Sequence, residues 1–349
     1  MAEALESRVS ADAASLPVWI RALRAALGRP PVWLVVWGLE AALAIAPALL
    51  LHAWLEDAIR HRYEPGSLFR DLGEPFRFDH RLQSAMLDAT TGRLGSVLVV
   101  LAVLLGIFSA GGWLQVFLEP TRGHSLQRFF LGGARYFWRF FRLAIVTLLL
   151  LSLLTWLVQG WAWNTIALEW ILGVPAGDAG RLETLPSERT VFLVRGAQEL
   201  IYALGFALLL VWGDYGRARL ALHDTSSAVW AGLCTAASMI RHPVKMLRPM
   251  IGLLLVEGAL VVAAGVLARS IEGEVGRDAG LGGVAALLGI GQLVLLWRIV
   301  LRGSRYHAAI QVSREVVLPI ARPDPWKGSL GPPGGPRYPL GGDEFGMSL

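Results

Sequence analysis

Six apolar runs divide this chain, each about the 20 residues that a helix needs to cross a hydrocarbon core about 30 Å thick. They cover residues 31–55, 94–117, 143–163, 191–212, 250–268 and 281–301. Hydrocarbon offers backbone N–H and C=O groups no partners, so such runs must be helices that satisfy their own hydrogen bonds. The expected fold is an all-α membrane protein with six transmembrane helices. Composition agrees, with 54% hydrophobic and 17% charged residues and a mean hydropathy of +0.52. Soluble domains carry about 25% charged residues. The fifth and sixth runs are rich in Gly and Ala, as closely packed membrane helices are.

The distribution of charge gives a direction to the spans. Lys and Arg of the N-terminus, the second and fourth loops and the C-terminus outnumber those of the first, third and fifth loops about two to one. Acids outnumber bases in the second group of loops. The positive-inside pattern therefore places both termini in the cytoplasm of a multi-pass inner-membrane protein. A pI of about 9.8 is accounted for by topology, and no nucleic-acid partner is expected. The start of the chain, MAEALESRVSADAAS, has acids where a signal peptide has a basic n-region, and no apolar run follows them. The first span is expected to serve as the insertion signal. Cys234 is the one cysteine, which excludes intrachain disulfides and thiolate metal clusters.

Residues 1–14 are polar and expected to be disordered, as is the Pro- and Gly-rich tail 321–349. Between them, 15–320 forms one six-helix domain. Its cytoplasmic segments look alike. Residues 15–29 (SLPVWIRALRAALGR), 125–139 (SLQRFFLGGARYFWR) and 227–241 (SAVWAGLCTAASMIR) each run from Ser to Arg over the same interval. Each is too short or too polar to span and precedes a hairpin of two spans. The unit is an interfacial helix plus a transmembrane hairpin, present three times. In the first segment Trp19, Ile20, Leu23 and Leu27 form the expected apolar face. Pro follows directly after Arg29 and two residues after Arg241, whereas the second copy has Phe140 and Phe141 there. DTSS before the third helix offers several N-caps. After the sixth span, GSRYHAAIQVSREVV reads as one more short helix.

The stretch GDYGRARLALHDTSSAVWAGLCTAASMIRHP, the ending GGWLQVF of the second span and the RYFWRFFRL after it resemble a broad set of uncharacterised bacterial six-span inner-membrane proteins. That set is similar to the membrane domain attached to some glycerophosphoryl diester phosphodiesterases, and to the Yip1-like and YciC-like membrane proteins. The resemblance implies a helical membrane bundle over about residues 15–315. It implies no activity and supplies no catalytic residues.

Ionisable side chains inside spans are the first functional candidates, because charge in hydrocarbon costs at least about 2.5 kcal/mol. Glu40 and Glu257 occupy nearly equivalent depths in two outward-running spans. They read either as a buried carboxylate pair for a proton or cation, or as structural groups bonded to neighbouring helices. Arg195 and Glu199, four apart in the fourth span, are placed to pair along one face. Arg298 reads as a snorkelling residue. Gln115, Gln159, Gln198 and Gln292 read as interhelical hydrogen-bonding groups. Gly111-Gly112 and Gly132-Gly133 read as packing or turn sites.

A second set of basic residues, Arg128, Arg135, Arg139, Arg142, Arg217, Arg219, Arg241 and Lys245, stands at the cytoplasmic ends of the spans. These could contact lipid phosphates or act simply as positive-inside anchors, and Arg302 and Arg305 extend the ring. No His, Cys or acid spacing matches a metal motif, and no nucleophile elbow or phosphate-binding glycine loop occurs. Asp79-His80 and His223-Asp224 are adjacent pairs without a third partner. The expectation is a non-enzymatic membrane protein without cofactors. It would act through lipid or protein contacts, or as a homo-oligomer, in membrane organisation or assembly. The alternative is a small transporter or permease using Glu40 and Glu257.

Overall fold

The computed structural model describes residues 16–59, 81–119, 124–173, 187–223, 225, 227–275 and 281–316. The expectations for residues 1–14, Asp79-His80, Asp224 and the tail lie outside the described residues. The helices are α1 (Val18–Leu27), α2 (Pro30–Ile59), α3 (Arg81–Leu118), α4 (Ser125–Gln159), α5 (Glu188–His223), α6 (Ala228–Arg241), α7 (Pro243–Val275) and α8 (Leu281–Val316). A π-helical stretch, Trp163–Ile171, follows α4. Among the described residues, α2, α3, α4, α5, α7 and α8 contain segments long and apolar enough to cross a membrane, and these coincide with the six apolar runs.

Proline decides where the short helices end. Pro30 opens α2 and Pro243 opens α7, at the first helical position where a missing N–H costs nothing. The segments before them, α1 and α6, are therefore separate helices. At the start of α6 the Ser227 hydroxyl accepts a hydrogen bond from the Trp230 backbone N–H at 3.3 Å. The second segment, an elbow before its hairpin like the other two, has no proline, and α4 runs unbroken from Ser125 through it into the span. The expected trio of separate interfacial helices is corrected to two short helices and one continuous helix. The short helix expected after the sixth span is corrected likewise, since α8 continues to Val316. Gly303 does not interrupt it. A side chain there would press on the ring of Trp113 at 3.0 Å.

The buried core lies at one end of the bundle. It takes the starts of α2, α4 and α7 (Val32, Phe129, Met250), the ends of α3, α5 and α8 (Trp113, Tyr215, Ile310), and both short helices. Consecutive spans must alternate in direction for these ends to meet. Away from that end the spans expose Val99, Leu149, Phe192 and Leu255, with Trp156, Trp161 and Trp170 farther along. A surface so rich in large apolar groups suits hydrocarbon and is out of place in water. In α1, the residues fully buried against its neighbours are Ala22 and Ala26. Trp19 rests on Gly252, and Leu27 is exposed. The expected apolar face of α1 is thus shifted toward its alanines, which let α1 approach α8 closely.

The tightest contact joins α3 to α4. A Cβ on Gly111 would lie 2.6 Å from the Gly132 carbonyl oxygen, and one on Gly112 would enter the ring of Phe129. Phe108 covers Gly133 in the same way. These paired glycines are packing sites. Gly111→Val is expected to lower stability by about 1–3 kcal/mol through overpacking. Gly106→Ala, where a Cβ meets nothing within 4 Å, should gain up to about 1 kcal/mol. Reversible unfolding of both variants in mixed micelles checks the contrast.

Candidate functional site: an ion-pair cluster where four spans meet

Arg298, Arg302 and Arg305 stand four and three residues apart on α8, a spacing that puts them on one face. Each meets an acid from another span. Arg302 Nη1 donates to Glu40 Oε1 of α2 at 3.2 Å. Arg298 Nε donates to Glu257 Oε1 of α7 at 3.2 Å. Arg305 donates twice, from Nε to Asp214 Oδ2 of α5 at 3.1 Å and from Nη1 to Glu257 Oε2 at 2.6 Å. Arg217, one turn after Asp214, donates to Asp214 Oδ1 at 3.0 Å. Asp214 and Glu257 therefore each bridge two guanidinium groups. The cluster ties α2, α5 and α7 to α8, and Trp37 Nε1 adds a bond to Gln292 Oε1 at 2.8 Å between α2 and α8.

Burial grades the cluster. The side chains of Arg305 and Asp214 are 10% and 4% exposed, while that of Arg298 is 54% exposed. A buried ion pair gains little over an apolar replacement of both partners. Removing one partner alone strands the other charge, at a cost of about 3–5 kcal/mol. The exposed Arg298–Glu257 pair is screened and contributes about 0–1 kcal/mol. Structural weight therefore falls on Asp214 and Arg305.

Asp214 is held in place by its own helix. The last turns of α5 carry Trp212, whose Nε1 donates to the Gly232 carbonyl at 2.9 Å, and Tyr215, whose hydroxyl donates to the Met246 carbonyl at 2.8 Å. Arg219 Nη1 donates to Ser238 Oγ at 3.2 Å. α6 and the start of α7 are thereby fixed to the same turns that present Asp214. The short apolar helix α6 is thus fastened to the turns that carry the buried charge cluster.

Glu40 and Glu257 both belong to this cluster, but each faces arginine and neither is unpaired. Arg195 and Glu199 are exposed on α5, and no ion pair joins them. The expected intrahelical pair is not formed. Arg128 is buried, and its Nη1 donates to the Val116 carbonyl at 3.4 Å and to that of Glu119. It caps the last turn of α3, where free carbonyls favour a cation, so its expected contact with lipid is corrected. Arg217 and Arg219 are half-buried and have protein partners in Asp214 and Ser238. Arg135 is exposed, with its guanidinium carbon 5.5 Å from the Tyr136 ring centre, and Arg139 is half-buried. Arg142, Arg241 and Lys245 are exposed, and among the described residues their side chains make no hydrogen bond or ion pair. Gln198 Nε2 donates to the Val158 carbonyl at 2.8 Å and, like Gln292, bonds between helices.

Asp214 was missed because it follows the fourth apolar run and reads as the start of a loop. Among the described residues, no three His, Cys, Asp or Glu come together to hold a metal ion. Comparison of the chain with known protein families, curated proteins and solved structures returned no match. The chemistry of the site therefore stands on its geometry.

Arg305→Gln is expected to lose about 1.5–3 kcal/mol of stability, the weight of its hydrogen bonds to charged groups, because Asp214 keeps Arg217 and Glu257 keeps Arg298. Arg298→Gln should stay within about 1 kcal/mol of the unaltered chain. Denaturant titration of the two variants in mixed micelles measures the difference.

Proposed function

We propose that this chain is a non-enzymatic, multi-pass protein of the bacterial inner membrane that acts through its contacts with lipid. Its role would lie in membrane organisation or assembly, with protein partners or further copies of itself. The observation that carries this reading is α6. It is anchored to α5 by the Trp212 and Arg219 hydrogen bonds. It still exposes Val229, Trp230, Leu233 and Ile240 at 57–80% of their surface, and Arg241 and Lys245 follow directly. A helix with large apolar side chains outward and basic residues at its end suits the boundary between headgroups and hydrocarbon. The elbow end then faces the cytoplasm, in keeping with the bias of Lys and Arg, and both termini lie there. The shared pattern of α1, the start of α4 and α6 supports a threefold internal repeat whose second copy has fused with its span.

The alternative, a transporter using Glu40 and Glu257, is weakened by their pairing. A carboxylate already shared with one or two guanidinium groups has little affinity left for a cation, and displacing an arginine would strand a charge. The basic elbow residues are a better basis for a function in contact with anionic lipid.

Vesicles of phosphatidylglycerol and phosphatidylcholine carrying the full chain test the reading. Energy transfer from tryptophan to labelled phosphatidylglycerol should report enrichment of that lipid beside the protein. Arg241→Gln with Lys245→Gln should weaken the preference by up to about 2 kcal/mol, at about 1 kcal/mol for each charge near the surface. The difference should close at high salt. Enrichment unchanged by the double substitution would overturn the reading.

A further inference from the structure

A groove of about 560 Å³ opens between α4, α5 and α6. Its walls include Leu150, Leu154 and Leu157 of α4, Leu208 of α5, Ile240 of α6 and Leu247 of α7, and every lining residue is apolar. Trp212 also lines it, but its one polar atom is already bonded to the Gly232 carbonyl. The volume falls in the range of about 300–1,000 Å³ common for small-molecule sites. Such sites orient polar ligands with a few polar groups, which this groove lacks. Any hydrogen-bonding ligand would lose its partners on entering. Three of the walls, α4, α5 and α7, are helices apolar and long enough to cross a membrane, so hydrocarbon chains are the surrounding medium.

A second cavity of about 380 Å³ lies on two of the same helices, bounded by Arg142, Ile145 and Val146 of α4 and by the first turn of α6. Arg142, Val146, Leu150, Leu154 and Leu157 follow one another on successive turns of α4, three or four residues apart. At 1.5 Å per residue, Arg142 and Leu157 are about 22 Å apart along the axis. Half of a hydrocarbon core is about 15 Å. The stripe thus starts with a cation and continues as leucine through the depth of one leaflet. An amphiphile with an anionic head and a hydrocarbon tail matches that order. The guanidinium of Arg142 is exposed and unbonded among the described residues, so it has no acid of its own to satisfy.

We propose that this groove is a lipid site, holding one acyl chain of an anionic phospholipid along Leu150, Leu154 and Leu157 with its phosphate at Arg142. The inference rests on reading α6 as a leaflet-facing helix and adds a specific, resident lipid to it. The apolar walls select for a chain and the single cation selects for a charged head. A bound lipid would also complete the packing of α6 against α4 and α5, because the groove separates these helices at the end of α6 distant from its cap.

The test uses the full chain taken from nanodiscs of equal phosphatidylglycerol and phosphatidylcholine with matched acyl chains, followed by native mass spectrometry. One retained phospholipid is expected, with phosphatidylglycerol favoured at least fivefold. Leu153→Trp with Leu208→Trp, two half-exposed positions on the groove wall, should cut retention at least tenfold. Arg142→Gln should leave a lipid bound and bring the headgroup preference close to one. A chain that retains no phospholipid, or a double variant that retains it as well as the unaltered chain, would overturn the acyl-chain site. An Arg142→Gln variant with undiminished preference would overturn the headgroup assignment. A second measurement needs no substitution: phosphatidylglycerol with a photoactivatable group at mid-chain should crosslink to residues 150–157 and 205–212. Crosslinks spread evenly over all spans would overturn the site. Enrichment unchanged by Arg241→Gln with Lys245→Gln is a failure of the surface reading, whereas enrichment that depends on those two residues with no retained lipid is a failure of the groove alone.

Discussion

A guanidinium group leaves water only in the company of charges or hydrogen-bond acceptors that replace its hydration. Arg305 meets that condition by reaching Asp214 on one side and Glu257 on the other. The rest of the elbow end follows from this arrangement. To bring those two acids to one arginine, α5, α7 and α8 must converge at a fixed height and rotation. Arg302 then draws Glu40 and α2 into the same register. Apolar packing alone would tolerate sliding of one span past another, since leucine against leucine is nearly as favourable a turn away. Charges with specific partners do not tolerate it.

The cluster also divides the bundle into two regions of different character. At the elbow end, aromatic and small residues interlock around Trp113, Phe129, Tyr215 and Phe140, all fully buried. Gly111 and Gly132 let α3 and α4 touch backbone to backbone, and Gly112 and Gly133 seat the rings of Phe129 and Phe108. Beyond that end the helices turn large apolar side chains outward, where hydrocarbon takes the place of a protein core. Such a division puts rigidity where α1 and α6 are mounted. It also leaves an apolar groove between α4, α5 and α6.

Much of the architecture was legible in the chain. The number and placement of the spans follow from the apolar runs, because the thickness of hydrocarbon fixes helix length. Ser227 and Pro243 marked the limits of α6, and Pro30 marked the start of α2. Where no proline stands, at Phe140 and Phe141 and again after Leu301, the helices simply continue, and the units that read as separate are one. The candidate site was legible only in part. Glu40 and Glu257 stand out as acids in apolar surroundings, but of their partners Arg298 reads as a snorkelling residue and Arg302 and Arg305 as lipid contacts or positive-inside anchors. An arginine at the end of a span looks alike whether it turns toward headgroups or inward to an acid. The spacing of Arg298, Arg302 and Arg305 carried the missing signal, as one helix face set against three acids. Asp214 was hidden by the length of α5, which keeps its helical form for about three turns beyond the apolar run, placing a residue that looks solvated at the centre of the core.

The central claim is that Asp214 and Arg305 are bound to each other in the buried cluster. A double-mutant cycle tests it most directly, using Asp214→Asn, Arg305→Gln and the two together, with unfolding followed in mixed micelles. Partners in one ion-pair network are expected to show a coupling of about 0.5–3 kcal/mol, and burial places this pair at the upper end, so that the double variant is far less destabilised than the sum of the single ones. Losses that simply add, with coupling near zero, would contradict the account.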